Sequence, residues 1–477
     1  MRDGSEFVEE NGRFVESYLC SSVTIRIFAS KNKRYCIMRF FGKKMLLWLA
    51  ALPMTLSAQE ATLQLTLDKA IELALAENPT IQVAAQSIEL KKIADKEAWQ
   101  NLLPGADLNG TFNHNFKIQT IVMGGQTFKM GTENNMNGGL SISLPLFAPT
   151  IYRTMKMTKD DIQVAVEQAR STRLDLIHQV TKAYYQLMLA QDSYDVLQKS
   201  VKQAEDNFNV VSAKYQQGAV SEYDKISAEV QLRNLRPSLI TSENAIRITK
   251  LQLKVLMGIT ADVDLKINDE LSNYQNVMFS RQTWGDPTDL SMNTNMRQLD
   301  LNKKLLEHTL HIQKAAFLPS LNGAFSWSYT SMANDLRINH YKWNPYVYGA
   351  ISLTIPLYHA KNYTALKKTK IQLQQLAENR INTERQLSMQ AQSYLDNMQA
   401  STEQVVSNKE AIAQAQKARD ISDKRYQVGA GTMLELNSSE VALTQSELTY
   451  CQSIYDYLTA KADLDYVLGH ADGSVNE

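Results

Sequence analysis

The stretch Leu176–Tyr215 reads LIHQVTKAYYQLMLAQDSYDVLQKSVKQAEDNFNVVSAKY. Stepping by four and then three residues from Leu176 gives Val180, Ala183, Leu187, Ala190, Tyr194, Leu197, Val201, Ala204, Phe208, Val211 and Tyr215. Every position is apolar or aromatic, and the 4-3 alternation never breaks. That is a heptad seam, the pattern of a helix winding round a neighbour. Flanking positions are polar, among them Gln179, Lys182, Gln186, Asp195, Lys199 and Glu205. Neither Gly nor Pro occurs from Thr158 to Gln217. At 1.5 Å per residue such a helix is about 90 Å long, more than a compact domain needs.

Around this rod the segments follow in order. Thr66 can cap a helix from Leu67 to Glu77 that stops before Pro79, and a second helix runs from about Thr80 to Leu102. Alternation then takes over. Leu108, Gly110, Phe112, His114, Phe116 and Ile118 oppose Asn109, Thr111, Asn113, Asn115 and Lys117. After a Gly-rich turn region, Leu140, Ile142, Leu144 and Leu146 oppose Gly139, Ser141 and Ser143. This predicts a β-hairpin over 106–146. The long helix (158–217) breaks at Gly218 and returns as a second one (222–257).

The pattern then repeats. Pro145 and Pro356, Tyr215 and Tyr426, Gly218 and Gly429, and Gly258 and Gly469 are each 211 residues apart (356 − 145 = 211). Pro104 and Pro319 are 215 apart (319 − 104 = 215), so the offset changes inside the first hairpin. One unit is therefore written twice. The expected first repeat is 59–258. A connector follows at 259–290, packing around the outside of the rods. The second repeat, 291–469, has a hairpin over 320–357 and long helices over 364–428 and 432–468, with a tail at 470–477. In the second seam four positions are polar: Ser401, Asn408, Arg419 and Ser422. Polar seam residues weaken pairing, so the second helical pair is expected to be the looser one.

Met38 to Ala58 has the layout of a secretory signal. Arg39, Lys43 and Lys44 precede an apolar run from Met45 to Leu56 and a small-residue cut at Ser57-Ala58. Residues 1–37 are expected to be an upstream extension, with the native start at Met38. No cysteine stands at the cut to carry a lipid. Of Cys20, Cys36 and Cys451 only the last lies beyond it, so no internal disulfide is expected.

The 477 residues carry 50 Lys plus Arg against 50 Asp plus Glu, a balance that speaks against a nucleic-acid partner. No phosphate loop, metalloprotease helix or nucleophile elbow occurs. His308 and His311 lack a third ligand at useful spacing. No enzyme, catalytic residue, cofactor or metal is expected.

The strands have the length and two-faced pattern of strands that cross an outer membrane in a barrel. A β-sandwich face gives the same alternation, but isolated hairpins between long helices leave no second sheet to cover them. Four strands cannot close a membrane barrel, so a barrel would be shared between two, three or four chains. The helices would then project together into the periplasm as a tube. A trimeric coiled-coil structural or adhesion protein anchored in the outer membrane is the alternative.

The order of helix, Asn-Pro, helix, hairpin, long helix, Gly-containing tip and return helix, all duplicated, resembles the TolC-like outer-membrane efflux proteins. So do the opening Leu65-Thr66-Leu67-Asp68-Lys69-Ala70-Ile71 and the tips Tyr215–Ser221 and Tyr426–Thr432. The resemblance implies a homotrimer with a shared twelve-strand β-barrel in outer-membrane lipid and a periplasmic α-helical barrel. It implies docking to a periplasmic adaptor and an inner-membrane pump of resistance-nodulation-division or ABC type. Adaptor-docking positions fall on Gly218, Ala219, Ser221, Val428, Gly429, Ala430 and Thr432. Those residues also suit a helix C-cap followed by an N-cap. The periplasmic gate positions fall on Asp224, Tyr426 and Glu435. The family's Arg in the second tip is Gly431 here, and its second acidic ring position is Ser438.

Overall fold

A computed structural model describes residues 63–470, apart from 261, 276–277, 279–288, 338 and 340. The expectations for residues 1–58, for most of the second half of the connector and for 471–477 lie outside the described residues.

The chain opens with β1 (Leu63–Gln64), α1 (Leu67–Glu77) and α2 (Pro79–Gln100), followed by four strands. These are β2 (Gly105–His114), β3 (Gln119–Met123), β4 (Gln126–Met130) and β5 (Asn134–Phe147). Next come α3 (Pro149–Gln216), α4 (Glu222–Met257) and β6 (Leu265–Lys266). After a 3-10 turn at Leu271–Tyr274 the order is α5 (Thr294–Ala315), β7 (Ser320–Ala333), β8 (Asn344–Thr354), α6 (Ala360–Gln427) and α7 (Met433–Leu468).

Two boundaries differ from the sequence reading for a physical reason. Helix α3 begins at Pro149, well ahead of residue 158, because Pro at the first position has its φ already set and no N–H to leave unsatisfied. The first hairpin does not end in a Gly-rich loop. Its chain re-pairs as a separate β3–β4 ribbon around Gly124 and Gly125.

Helices α3 and α6 are each 68 residues, about 100 Å of continuous helix. The seam residues Leu176, Val180, Ala183, Leu187, Leu197, Ala204 and Val211 are buried. Helix α3 packs against α2, α4, α5 and α7, and α6 packs against α5 and α7. In the second seam, Leu387, Ala391, Met398, Ser401 and Val405 are buried. Two of its four polar members find side-chain partners: Asn408 Nδ2 donates to Ser453 Oγ at 3.3 Å, and Arg419 reaches Glu440 at 4.0 Å.

The largest core sits at mid-length of the rods, where Tyr184, Leu187, Met188, Leu253, Met257, Ile454 and Leu464 meet. The connector does not merely wrap the outside, because Leu265 and Leu271 are buried in this core. Strand β6 pairs in parallel with β1, Leu63 opposite Leu265. The Tyr184 hydroxyl donates to Asp269 Oδ2 at 2.7 Å, and Asp192 Oδ2 accepts from the Leu271 N–H at 3.0 Å.

The same clasp occurs at two places on this belt. Asn78 caps α2 and donates from Nδ2 to the Leu256 carbonyl at 2.7 Å. Asn293 caps α5 and donates to the Val467 carbonyl at 2.7 Å. Each long return helix ends in a left-handed glycine, Gly258 or Gly469, pressed against the backbone ahead of the capped helix. A Cβ on Gly469 would lie 2.7 Å from the Met292 carbonyl carbon.

Among the described residues no helix is long and apolar enough to cross a membrane. The antiparallel sheet β2-β5-β7-β8 has another character. Its register aligns Leu108 with Leu140, Leu140 with Trp327 and Trp327 with Val347. That face also carries Phe112, Ile142, Phe325, Ile351 and Leu353, while Asn109, Ser141, Ser326 and Tyr348 line the other. Leu108, Val347, Ile351 and Leu353 are exposed, the reverse of a soluble sheet.

Gly469→Ala is expected to destabilise the helical belt by upward of about 2 kcal/mol, from left-handed backbone strain plus the clash. Gly110→Ala, in open space, serves as the neutral control. Urea midpoints of the helical circular-dichroism signal compare the two.

Candidate functional site at the helix tips

The two helical turnarounds lie at the end of the rods away from the sheet. At the first, α3 closes through Gly218 N–H to the Tyr215 carbonyl at 2.9 Å and Ala219 N–H to the Lys214 carbonyl at 2.9 Å. Gly218 sits at φ +72, which a residue with a Cβ resists. Ser221 then starts α4 with a capping box: Asp224 N–H donates to Ser221 Oγ at 3.2 Å, and the Ser221 N–H donates back to Asp224 Oδ2 at 3.3 Å.

The second turnaround repeats the chemistry. Gly429 is at φ +74, Ala430 N–H donates to the Arg425 carbonyl at 2.8 Å, and Thr432 Oγ1 accepts from Glu435 N–H at 3.2 Å. Val428 is 79 % exposed at the apex. Thus Gly218, Ala219, Ser221, Val428, Gly429, Ala430 and Thr432 are brought together at one end of the protomer. Each also has a local helix-capping or apical role.

A small core joins the tips: Val211, Ala228, Met433 and Leu436, with Phe208, Val220 and Tyr426 packed on it. Tyr426 is held inside the protomer. Its hydroxyl is buried without a hydrogen-bond partner among the described residues. Burial, and secondarily the Asp224 carboxylate, pushes that hydroxyl's pKa up. No Asp224–Tyr426 hydrogen bond forms, because Asp224 is engaged in its capping box. Lys214 Nζ lies 5.4 Å from the Tyr426 ring, and Lys225 Nζ lies 5.2 Å from the Tyr215 ring.

Glu435 is exposed and pairs with Arg425 at 3.6 Å. Arg425, next to Tyr426, places a cation at the second tip, where position 431 is glycine. The sequence reading overlooked it because it looked only at the position of Gly431. It also overlooked Glu440, which is buried between helices and accepts from Asn207 Nδ2 at 2.5 Å, with Arg419 at 4.0 Å. A carboxylate among small polar seam residues was the signal that could have found it. His308, which has no third metal ligand at useful spacing in the sequence, bonds Asp160 across to α3 at 2.6 Å. Among the described residues no group of three or more His, Cys, Asp or Glu is placed to hold a metal.

The sheet, rods and tips are matched by the family model for outer membrane efflux proteins over residues 70–259 and 289–470. The chain belongs to the outer membrane efflux protein family. This member is 19 % identical over 341 residues to the outer membrane protein TolC of Vibrio cholerae, covering 70 % of this chain and 76 % of that one. It superposes on the solved structure of CusC with a TM-score of 0.69 at 16 % identity, over 86 % of this chain and 93 % of the other. The open state of the MtrE channel of Neisseria gonorrhoeae gives 0.68 at 18 % identity, over 85 % and 89 %. As a member, this efflux protein resides in the outer membrane. Family members are channel proteins rather than enzymes.

Burial pushes the Glu440 carboxyl up, while Asn207 and Arg419 pull it partly back. With its folded value raised, its contribution to stability is full below the ordinary value of about 4.3 and is lost as pH rises through the raised one. Glu440→Gln is therefore expected to flatten the loss of tip stability that begins as pH rises past the ordinary carboxylate value and ends at the raised one. Hydrogen exchange of tip amides across that range measures it, and an unchanged slope would assign the pH dependence elsewhere.

Proposed function

We propose that this efflux protein is the exit duct of a tripartite efflux or secretion machine. It passively conducts solutes that an inner-membrane pump and a periplasmic adaptor deliver. The observation that carries the reading is the sheet β2-β5-β7-β8, lipid-compatible on one face and small-polar on the other, with its outer strands β2 and β8 unpaired along their free edges. Unpaired backbone groups are not tolerated in hydrocarbon. Closure therefore needs other copies, and three copies of four strands give twelve, enough to leave a lumen. The duplicated helical pairs, side by side, then continue that lumen as a periplasmic tube.

The tips are the entrance. Gly218, Ala219 and Ser221 with Val428, Gly429, Ala430 and Thr432 are the surface that an adaptor would meet. Asp224, Tyr426 and Glu435, with Arg425, form the gate. Glu435 places negative charge at a narrow mouth, where it favours cations over anions. The second helical pair is the moving one. Its polar seam contacts, such as Asn408 with Ser453, replace apolar packing in the half nearest the tip.

The purified protein is expected to run as a heat-modifiable trimer and to conduct in planar bilayers. Tyr426→Ala strips the ring from the tip core and is expected to raise single-channel conductance severalfold. Tyr426→Phe removes only an unpartnered hydroxyl and should leave the protomer's stability within about 0.5 kcal/mol. A trimer that stays silent in the Tyr426→Ala variant would favour a structural or adhesive coiled coil instead.

A further inference from the structure

The β3–β4 ribbon is not needed to complete the four-stranded sheet. It stands at the end of the strands away from the helices and pairs only with itself. Its surface is unusual for a water-facing hairpin. Phe116 at its root is 96 % exposed, and Met123, Phe128 and Met130 are 71 %, 53 % and 66 % exposed.

The register shows where these side chains lie. In the β2–β5 ladder the last pair is His114 with Asn134, and the ribbon's first pair is Gln119 with Met130. Five steps on one strand (119 − 114) match four on the other (134 − 130), so one extra residue is accommodated between 114 and 119. On β2 the apolar positions are even-numbered, Leu108 and Phe112. On β3 they are odd-numbered, Ile121 and Met123. Residues 131–133 are not strand, so the ribbon's faces follow from its own ladder: Ile121 pairs with Phe128 and Gln119 with Met130, which gathers Ile121, Met123, Phe128 and Met130 on one side. The other side carries Thr120, Thr127 and Lys129, with Val122 its single apolar member.

Two further features bear on what covers the apolar side. Residues 115–132 hold Lys117 and Lys129 and no Asp or Glu, in a chain of balanced charge. Gly131, at the ribbon's root, is at φ +110, a bend that a residue with a side chain resists. A ribbon laid beside the barrel with its apolar side down puts Ile121, Met123, Phe128 and Met130 on the membrane, and the long stems of Lys117 at its root and Lys129 on its upper side let their ammonium groups reach back to lipid phosphates. Bent inward over the pore, it would instead expose its apolar side to water.

We propose that the β3–β4 ribbon is a lipid-binding foot that rests on the phosphate-bearing outer leaflet beside the barrel. The foot rests on the reading of the sheet as a barrel wall. The test uses spin labels on the full-length assembled protein with its native cysteines replaced by serine. Labels go at 128 on the ribbon's apolar side, 127 on its other side and 140 on the sheet's apolar face. The protein is reconstituted in vesicles of phosphatidylcholine with phosphatidylglycerol, or of phosphatidylcholine alone.

Collision with oxygen should exceed collision with a water-soluble nickel chelate at 128 and 140, and the reverse should hold at 127. Lys117→Gln with Lys129→Gln, or loss of phosphatidylglycerol, should lower the oxygen-to-nickel ratio at 128 severalfold and leave 140 unchanged. A water-like 128 beside a lipid-like 140 overturns the foot while sparing the barrel. So does a 128 shielded from both reagents, which would mean protein contact. A 140 that is not lipid-like overturns the barrel reading itself. A ratio at 128 indifferent to headgroup charge overturns the role given to the two lysines.

Discussion

A strand edge in hydrocarbon must find backbone partners, because no water is there to take their place. The sheet of this protein has two free edges, on β2 and β8, and an apolar face that the register of all four strands makes continuous. Much of the rest can be read as a consequence. Long helices begin close to where strands end, at Pro149 after Phe147 and at Ala360 after Thr354. The rods therefore inherit the spacing and direction that the sheet sets. Their seam does not have to supply all the stability, since the mid-length belt of Tyr184, Leu253, Leu265, Leu271 and Ile454 provides a dense core where α1, α3, α4 and α7 meet the connector.

The rods and sheet were legible in the sequence because both rest on simple periods. The heptad positions of Leu176–Tyr215 are all buried or half-buried in α3, together with off-seam Ile177, Tyr184, Tyr185 and Met188, and the alternation around Leu140 and Trp327 is the one that the ladder displays. What escaped depended on partners distant along the chain. The re-pairing after His114 was hidden because one extra residue reverses the alternation, and a reversal beside glycines looks like a loop. Asp160 is 148 residues from His308, and nothing in local spacing joins them. At the tips, Asp224 was singled out only as a gate position implied by the family resemblance, and its place in the α4 capping box was not. That its carboxylate is engaged there rather than with Tyr426 is a matter of three-dimensional geometry.

The clasps at Asn78 and Asn293 use the same chemistry at two places on the belt. Each uses an amide side chain in two ways, as a helix cap and as a donor to the terminal carbonyls of a returning helix. Neither role tolerates much variation in size or polarity. The glycines opposite them have no room for a methyl group. Between these fixed points the long helices need only preserve a stripe.

Strand β1 is only two residues, but its partner β6 lies beyond α4, with Leu63 opposite Leu265. Contacts of such sequence separation form late and slowly. As the polypeptide emerges from its N-terminus, residues 63–64 have no mate until α3 and α4 have followed. The beginning of the first half is thus fastened only when its end arrives, and the belt records completion of that half.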